Sequence, residues 1–171
     1  QALTVLEEYG GVILADVVGL GKSVIASWLA RELDGRGLVI CPPALMGDQN
    51  TKSSGWYKYL NDFELFHWDV YSLGALDKVQ EYLEVYGEDV KTIVVDEAHR
   101  FRNEDTEAYE RLSQICANRR VILLTATPFN NAPADIFALL KLFIPPGKST
   151  LTLDERMAAR FARYNSEFRR L

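Results

Sequence analysis

GGVILADVVGLGKS, residues Gly10–Ser23, reads as a short buried strand running into a glycine turn that opens a helix. The apolar run Val12–Ala15 predicts the strand, Gly19 and Gly21 the turn, and Lys22-Ser23 the first helical residues. Glycines in such a turn let successive backbone N–H groups face an anion, which also meets the positive end of the helix dipole. A lysine there supplies a mobile charge for β/γ-phosphates, and a serine hydroxyl can ligate Mg²⁺. The layout predicts a nucleotide-phosphate cradle, a P-loop, built from Gly19, Leu20, Gly21, Lys22 and Ser23. One position departs from the strict G-x-x-x-x-G-K-[ST] pattern: Asp16 stands where glycine is wanted.

Outward from this stretch, short apolar runs alternate with helical periods. Residues 1–9 have a helix-like pattern, and Lys22–Leu33 predicts a helix stopped by Gly35. Gly37–Cys41 predicts a second strand, ended by Pro42-Pro43. Residues 44–60 predict a helix interrupted at Ser53-Ser54-Gly55. Three strands follow at Asp69–Leu73, Lys91–Val95 and Val121–Thr125, with helices at Ala75–Tyr86, Thr106–Ala117 and Ala132–Phe143. Strands of about five residues alternating with helices of about twelve predict an α/β fold, a parallel sheet with helices on both faces. Ligands in such sheets sit at the carboxyl ends of the strands. Asp16, Asp96 and Thr125 all fall there.

The chain has 171 residues, 48% hydrophobic and 25% charged, which fits one ordinary globular domain with a proper core. It starts at Gln1 rather than Met and reads as a piece of something longer. No apolar run approaches the roughly 18 residues of a membrane span. Cys41 and Cys116 lack C-x-x-C spacing and are expected to be reduced core thiols, which fits a cytoplasmic location. Two histidines, His67 and His99, make a zinc site untenable. The net charge of −5 is unevenly spread: from Lys148 onward six basic residues face three acids. The division expected is a domain over 1–147 and, over 148–171, the helical start of a linker, insertion or following domain.

A second site follows the apolar run Thr92–Val95, at Asp96-Glu97. An acid at the end of a buried strand is costly unless a cation or hydrogen bonds meet it. A Mg²⁺ held by Ser23 and Asp96 would be that cation, and Glu97 could orient and deprotonate an attacking water. The plainer readings are a glycine-rich turn and two solvated acids, and the pairing of the two sites argues against both. His99, three after Asp96, and Thr125-Ala126-Thr127-Pro128 complete the set: two hydroxyls facing one rim suit a coupling role, and a polar turn is the alternative.

These motifs resemble the first RecA-like domain of a superfamily-two DEAD/DEAH-box helicase or translocase, closest to the Swi/Snf-type and related bacterial proteins. ILADVVGLGKS resembles motif I (Walker A), where aspartate stands at the Asp16 position. Leu38–Pro43 resembles motif Ia, Val94–Asn103 motif II, and Leu123–Asn131 motif III. The resemblance covers roughly residues 10–143, with the motifs in order. It implies ATP and Mg²⁺ as cofactors, Lys22 and Ser23 on phosphate and metal, Asp96 on the metal, and Glu97 as catalytic base with Lys22 assisting. His99, Thr125 and Thr127 would couple nucleotide state to nucleic acid, DNA rather than RNA. Pro42, Pro43 and the region of Ser72 would lie near the nucleic-acid path. Val17 stands where an acid is common in the Swi/Snf branch and Ala126 where glycine is common, which favours a bacterial-type relative. The resemblance also implies a second RecA-like domain in the full-length chain, bringing arginines across the ATP; nothing after Gly147 is long enough to be it.

Two further features remain open at the level of sequence. Met157, Phe161, Tyr164, Phe168 and Leu171 form an apolar stripe at helical spacing, beside a row of arginines at 156, 160 and 163. Packing on a neighbouring domain and contact with nucleic acid both fit that pattern. Two other function classes also stand beside the motor: a kinase-like P-loop enzyme, and a non-catalytic RecA-like binding module. The DEAH and TATP stretches argue against the first, and intact Lys22, Ser23, Asp96 and Glu97 against the second.

Overall fold

The computed structural model describes residues 2–15, 21–126 and 133–144. Asp16, Val17, Gly19, Leu20, Thr127 and the whole of 148–171 therefore lie outside the described residues. In chain order the elements are α1 (Ala2–Tyr9), β1 (Gly11–Ala15), α2 (Lys22–Arg31), β2 (Arg36–Cys41), α3 (Pro43–Met46) and α4 (Gly55–Asp62). They continue as β3 (Trp68–Ser72), α5 (Leu76–Tyr86), β4 (Val90–Val95), a 3-10 turn (Ala98–Phe101), α6 (Glu107–Cys116), β5 (Arg120–Thr125) and α7 (Pro133–Lys141).

The five strands form one sheet in the order β1-β5-β4-β2-β3, and every pairing is parallel. Because side chains alternate across a strand, each strand feeds two cores. Leu38, Ile40, Ile93, Val95, Val121 and Leu123 pack with Val79 of α5, Leu112 of α6 and Leu139 of α7. The intervening Val39, Val70, Val94, Ile122 and Leu124 pack with Leu6 of α1, Leu29 of α2 and Trp56 of α4. The central strands are buried on both faces, which is why they read as continuous apolar runs rather than alternating ones. The expected α/β sheet with helices on both faces is the observed one.

Two local details differ from the sequence reading. The interrupted helix over 44–60 is two separate helices, and Gly55 is the first residue of α4. Between them Asp48 Oδ1 accepts hydrogen bonds from the Asn50 and Thr51 amides at 2.8 and 3.0 Å, closing an Asx turn. The second detail is the 3-10 turn after β4, which the run of Asp96–Arg100 does not announce. It follows Glu97, whose backbone is left-handed with φ +54°. At the start of α6, Thr106 Oγ1 accepts the Tyr109 amide as an N-cap. Tyr109 in turn donates its hydroxyl to the Ala138 carbonyl at 2.8 Å, tying α6 to α7.

Candidate nucleotide and metal site

α2 starts directly from Gly21, whose φ of +80° belongs to the left-handed region. A Cβ there would meet no atom closer than 4.0 Å, so the backbone angle and not crowding is what asks for glycine. Lys22 and Ser23 are the first two residues of α2, with no side-chain cap and no acid in the first turn. An anion at this end of α2 would meet the positive end of the helix dipole. One turn on, buried Ser27 donates its hydroxyl to the Ser23 carbonyl at 2.8 Å. Gly19 and Leu20, the rest of the expected cradle, lie outside the described residues.

β1 and β4 are separated only by β5, so the strands that lead into the two halves of the site lie about 10 Å apart at the usual strand spacing. Asp96 follows β4 and is 7% exposed. By the alternation along β4 it shares the face of Thr92 and Val94, the face that α2 and α4 cover. Its amide donates to the Ile40 carbonyl at 2.8 Å. Its Oδ1 accepts the Glu97 amide and its Oδ2 the Trp56 indole N–H, both at 2.9 Å. Burial pushes the Asp96 carboxyl above the usual aspartate range. The Trp56 and Glu97 hydrogen bonds pull it down, the Glu97 charge pushes it up, and the Lys22 ammonium pulls it down. Lys22 is therefore close enough for its charge to be felt at Asp96, and its pull does not offset the desolvation.

Glu97 and His99 are both about one-third exposed, at 34% and 29% of their side chains. Glu97 Oε2 lies 3.0 Å from His99 Nδ1, but the nitrogen is not aligned for a hydrogen bond. The attraction between them is a charge interaction that exists when the imidazole is protonated. Thr125 ends β5, is 1% exposed and pairs in register with Ala15, two residues beyond Leu123, which meets Val95. The alternation along β5 places it with Val121 and Leu123, on the face opposite Asp96. The 3-10 turn carrying His99 packs against β5 and α7. Thr127 lies outside the described residues.

A metal fits this set in a particular way. Among the described residues no group of three or more His, Cys, Asp and Glu side chains could hold an ion alone. One buried carboxylate held by hydrogen bonds and a serine at a helix N-terminus supply oxygen donors, and the adjacent lysine is a counter-charge for phosphate rather than a metal ligand. The two oxygen donors suit a hard cation that takes its other ligands from water and substrate phosphates, which is the habit of Mg²⁺. Sequence reasoning missed Trp56. A tryptophan one residue past Ser54-Gly55 reads as core, and nothing local shows that its N–H meets a carboxylate 40 residues away.

The SNF2-related domain family matches residues 49–160. An uncharacterized ATP-dependent helicase of Bacillus subtilis, YqhH, is 30% identical over 164 residues, covering 84% of this chain and 28% of the helicase. The DNA repair and recombination protein RAD54B of Gallus gallus is 26% identical over 167 residues, covering 80% of this chain and 17% of that protein. Among solved structures, the Sulfolobus solfataricus SWI2/SNF2 ATPase core in complex with dsDNA superposes with a TM-score of 0.52 at 20% identity. It covers 90% of this chain and 39% of that one, and the likeness is one of fold. This chain thus spans under a third of the curated relatives it matches. With the parallel sheet described and the family match covering residues 49–160, the chain belongs to the SNF2-related domain family.

Proposed function

We propose that this chain is the ATP-binding half of an ATP-dependent motor that translocates on double-stranded DNA. The observation that carries the reading is the buried Asp96 carboxylate at the carboxyl end of β4, held by the Trp56 indole and the Glu97 amide, with the Glu97 side chain next to it. Gly19, Leu20, Gly21, Lys22 and Ser23 hold the phosphates of ATP, and Ser23 with Asp96 would hold Mg²⁺. The metal, when bound, would neutralise charge on the β- and γ-phosphate oxygens. Glu97 orients a water and accepts its proton as the water oxygen bonds to the γ-phosphorus and the bond to the β–γ bridging oxygen breaks. His99, Thr125 and Thr127 couple this cycle to the nucleic acid. The choice of DNA rests on the relatives, among them a DNA repair and recombination protein and an ATPase core in complex with dsDNA.

The second RecA-like domain belongs to the same full-length protein in this reading, with 1–147 as the first domain and 148–171 leading out of it. An arginine brought across the ATP is worth about 10³–10⁵ in rate, so hydrolysis by these 171 residues alone is expected to be very slow. The location proposed is cytoplasmic; among the described residues no helix is long and apolar enough to cross a membrane.

The test is ATP turnover by the intact protein, with and without duplex DNA, together with nucleotide titrations of wild type and Lys22→Ala. DNA-stimulated turnover that the substitution abolishes is the expected result. Equal nucleotide affinity in both proteins would favour a non-catalytic scaffold, and robust DNA-stimulated turnover by the 171-residue chain alone would defeat the need for a second domain.

A further inference from the structure

α4 owes its position to two glycines. Gly47 (φ +82°) and Gly55 (φ +59°) meet across the base of the 48–54 loop. A Cβ on Gly47 would stand 1.9 Å from the Ser54 carbonyl oxygen, and one on Gly55 would stand 2.5 Å from the Gly47 nitrogen. This pinch sets where α4 begins, and Trp56 is its second residue. The indole is 2% exposed, stacked edge-on to Tyr59 with ring centroids 5.7 Å apart. Its Nε1–H donates to Asp96 Oδ2 in a buried hydrogen bond of 2.9 Å.

An ionised carboxylate offers about four lone-pair sites on its two oxygens. The Trp56 indole takes one on Oδ2 and the Glu97 amide one on Oδ1. Two donors from different directions fix the plane of the carboxylate and leave one lone pair on each oxygen. An indole is suited to this task because it only donates, carries no charge and cannot itself ligate a cation. A lysine or arginine in its place would neutralise Asp96 and compete with the metal.

Resting on the assignment of Asp96 as a metal ligand, we infer that Trp56 is the positioning residue of the metal site, holding the Asp96 carboxylate in the orientation that receives Mg²⁺. Residues that orient a metal ligand cost about 10–100-fold in metal affinity when changed.

The experiment follows binding of N-methylanthraniloyl-ADP to the intact protein, in EDTA and across a Mg²⁺ titration. Trp56→Phe, which keeps an aromatic ring and loses the donor, is expected to leave affinity in EDTA nearly unchanged. The half-saturating Mg²⁺ concentration should rise by about 10–100-fold. A wild-type Mg²⁺ dependence in this variant overturns the inference. If Trp56→Phe unfolds the protein, replacing Trp56 with benzothienylalanine preserves the bicyclic outline and exchanges the N–H for sulfur. The same Mg²⁺ shift is then expected at near-wild-type Tm, and its absence overturns the inference equally. Asp96→Asn separates the two assignments. If Asp96→Asn keeps the wild-type Mg²⁺ dependence, the metal site itself is misassigned and the role of Trp56 falls with it. If Asp96→Asn loses that dependence while the Trp56 variants keep it, only the positioning role fails.

Discussion

Glu97 Oε2 stands 3.0 Å from His99 Nδ1, and it does so because Glu97 leaves β4 in a left-handed conformation, φ +54°, that starts the 3-10 turn. The turn folds the imidazole back over the carboxylate two residues earlier. A non-glycine residue held at that angle costs on the order of 1–2 kcal/mol. Such strain at a strand end is common at functional sites.

The pair predicts two different kinetic phenotypes. Glu97→Gln removes the proton acceptor and should lower kcat for ATP by about 10²–10⁴-fold with nucleotide binding retained. His99→Ala leaves the base in place but loosens it, and should lower kcat by about 10–100-fold with KM for ATP unchanged. Steady-state ATP turnover by the intact protein with duplex DNA measures both. A Glu97→Gln protein that turns over at the wild-type rate would remove Glu97 from the catalytic role.

The loop pinch predicts a stability phenotype. Gly47→Ala combines a left-handed φ with a methyl group 1.9 Å from a backbone oxygen, and the nearest atoms belong to the main chain and cannot step aside cheaply. The cost is expected to be about 2–3 kcal/mol, seen as a lower urea midpoint. Asp48→Ala, which removes only the exposed Asx turn, should cost well under half as much. Equal effects of the two substitutions would contradict the pinch.

Arg119 lies at the opposite end of the sheet from the proposed site. Its guanidinium donates to the carbonyls of Val90 (3.2 Å), Ile115 (3.0 Å), Ala117 (3.3 Å) and Gly87 (3.1 Å), joining the ends of α5 and α6 to β4. Arg119→Met leaves these carbonyls without their charged donor and should cost about 2–3 kcal/mol. Nucleotide affinity at a temperature where the variant is folded should not change. A variant that lost affinity in proportion to stability would show that the two ends of the sheet are coupled.

The cysteines predict a pH dependence with a definite sign. Burial pushes both Cys41 and Cys116 from 9.0 up to about 12. A thiol whose folded pKa is raised binds its proton more tightly in the native state. Its contribution to stability is unaffected below about pH 9, and native stability declines as pH rises from 9 toward 12. At pH 8 both thiols should resist a disulfide reagent in the native protein and react fully in denaturant. Rapid labelling of either one in the folded state would show that its site opens.

Residues 10–15 and 21–41 illustrate how far the sequence reaches. The run Val12–Ala15, the glycine turn and the helix formers after Lys22 define a strand, a turn and a helix locally, because burial period and backbone permission are properties of neighbouring residues. The same logic gave the parallel α/β class, the DEAH stretch at the end of β4 and the candidate roles of Lys22, Ser23, Asp96 and Glu97. Where the chain was polar and irregular, as from residue 44 to 60, period alone could not say that one interrupted helix is two, or that Gly55 begins the second.

The strand order and the Trp56–Asp96 bond belong to the tertiary structure. Local sequence shows that Trp56 prefers burial, but its N–H needs a partner, and which carboxylate supplies it depends on α4 docking over β4. That docking depends in turn on two glycines meeting across a loop. Motif and period named Asp96 as a candidate metal ligand. The packing of segments 40 residues apart settled the direction in which its carboxylate faces.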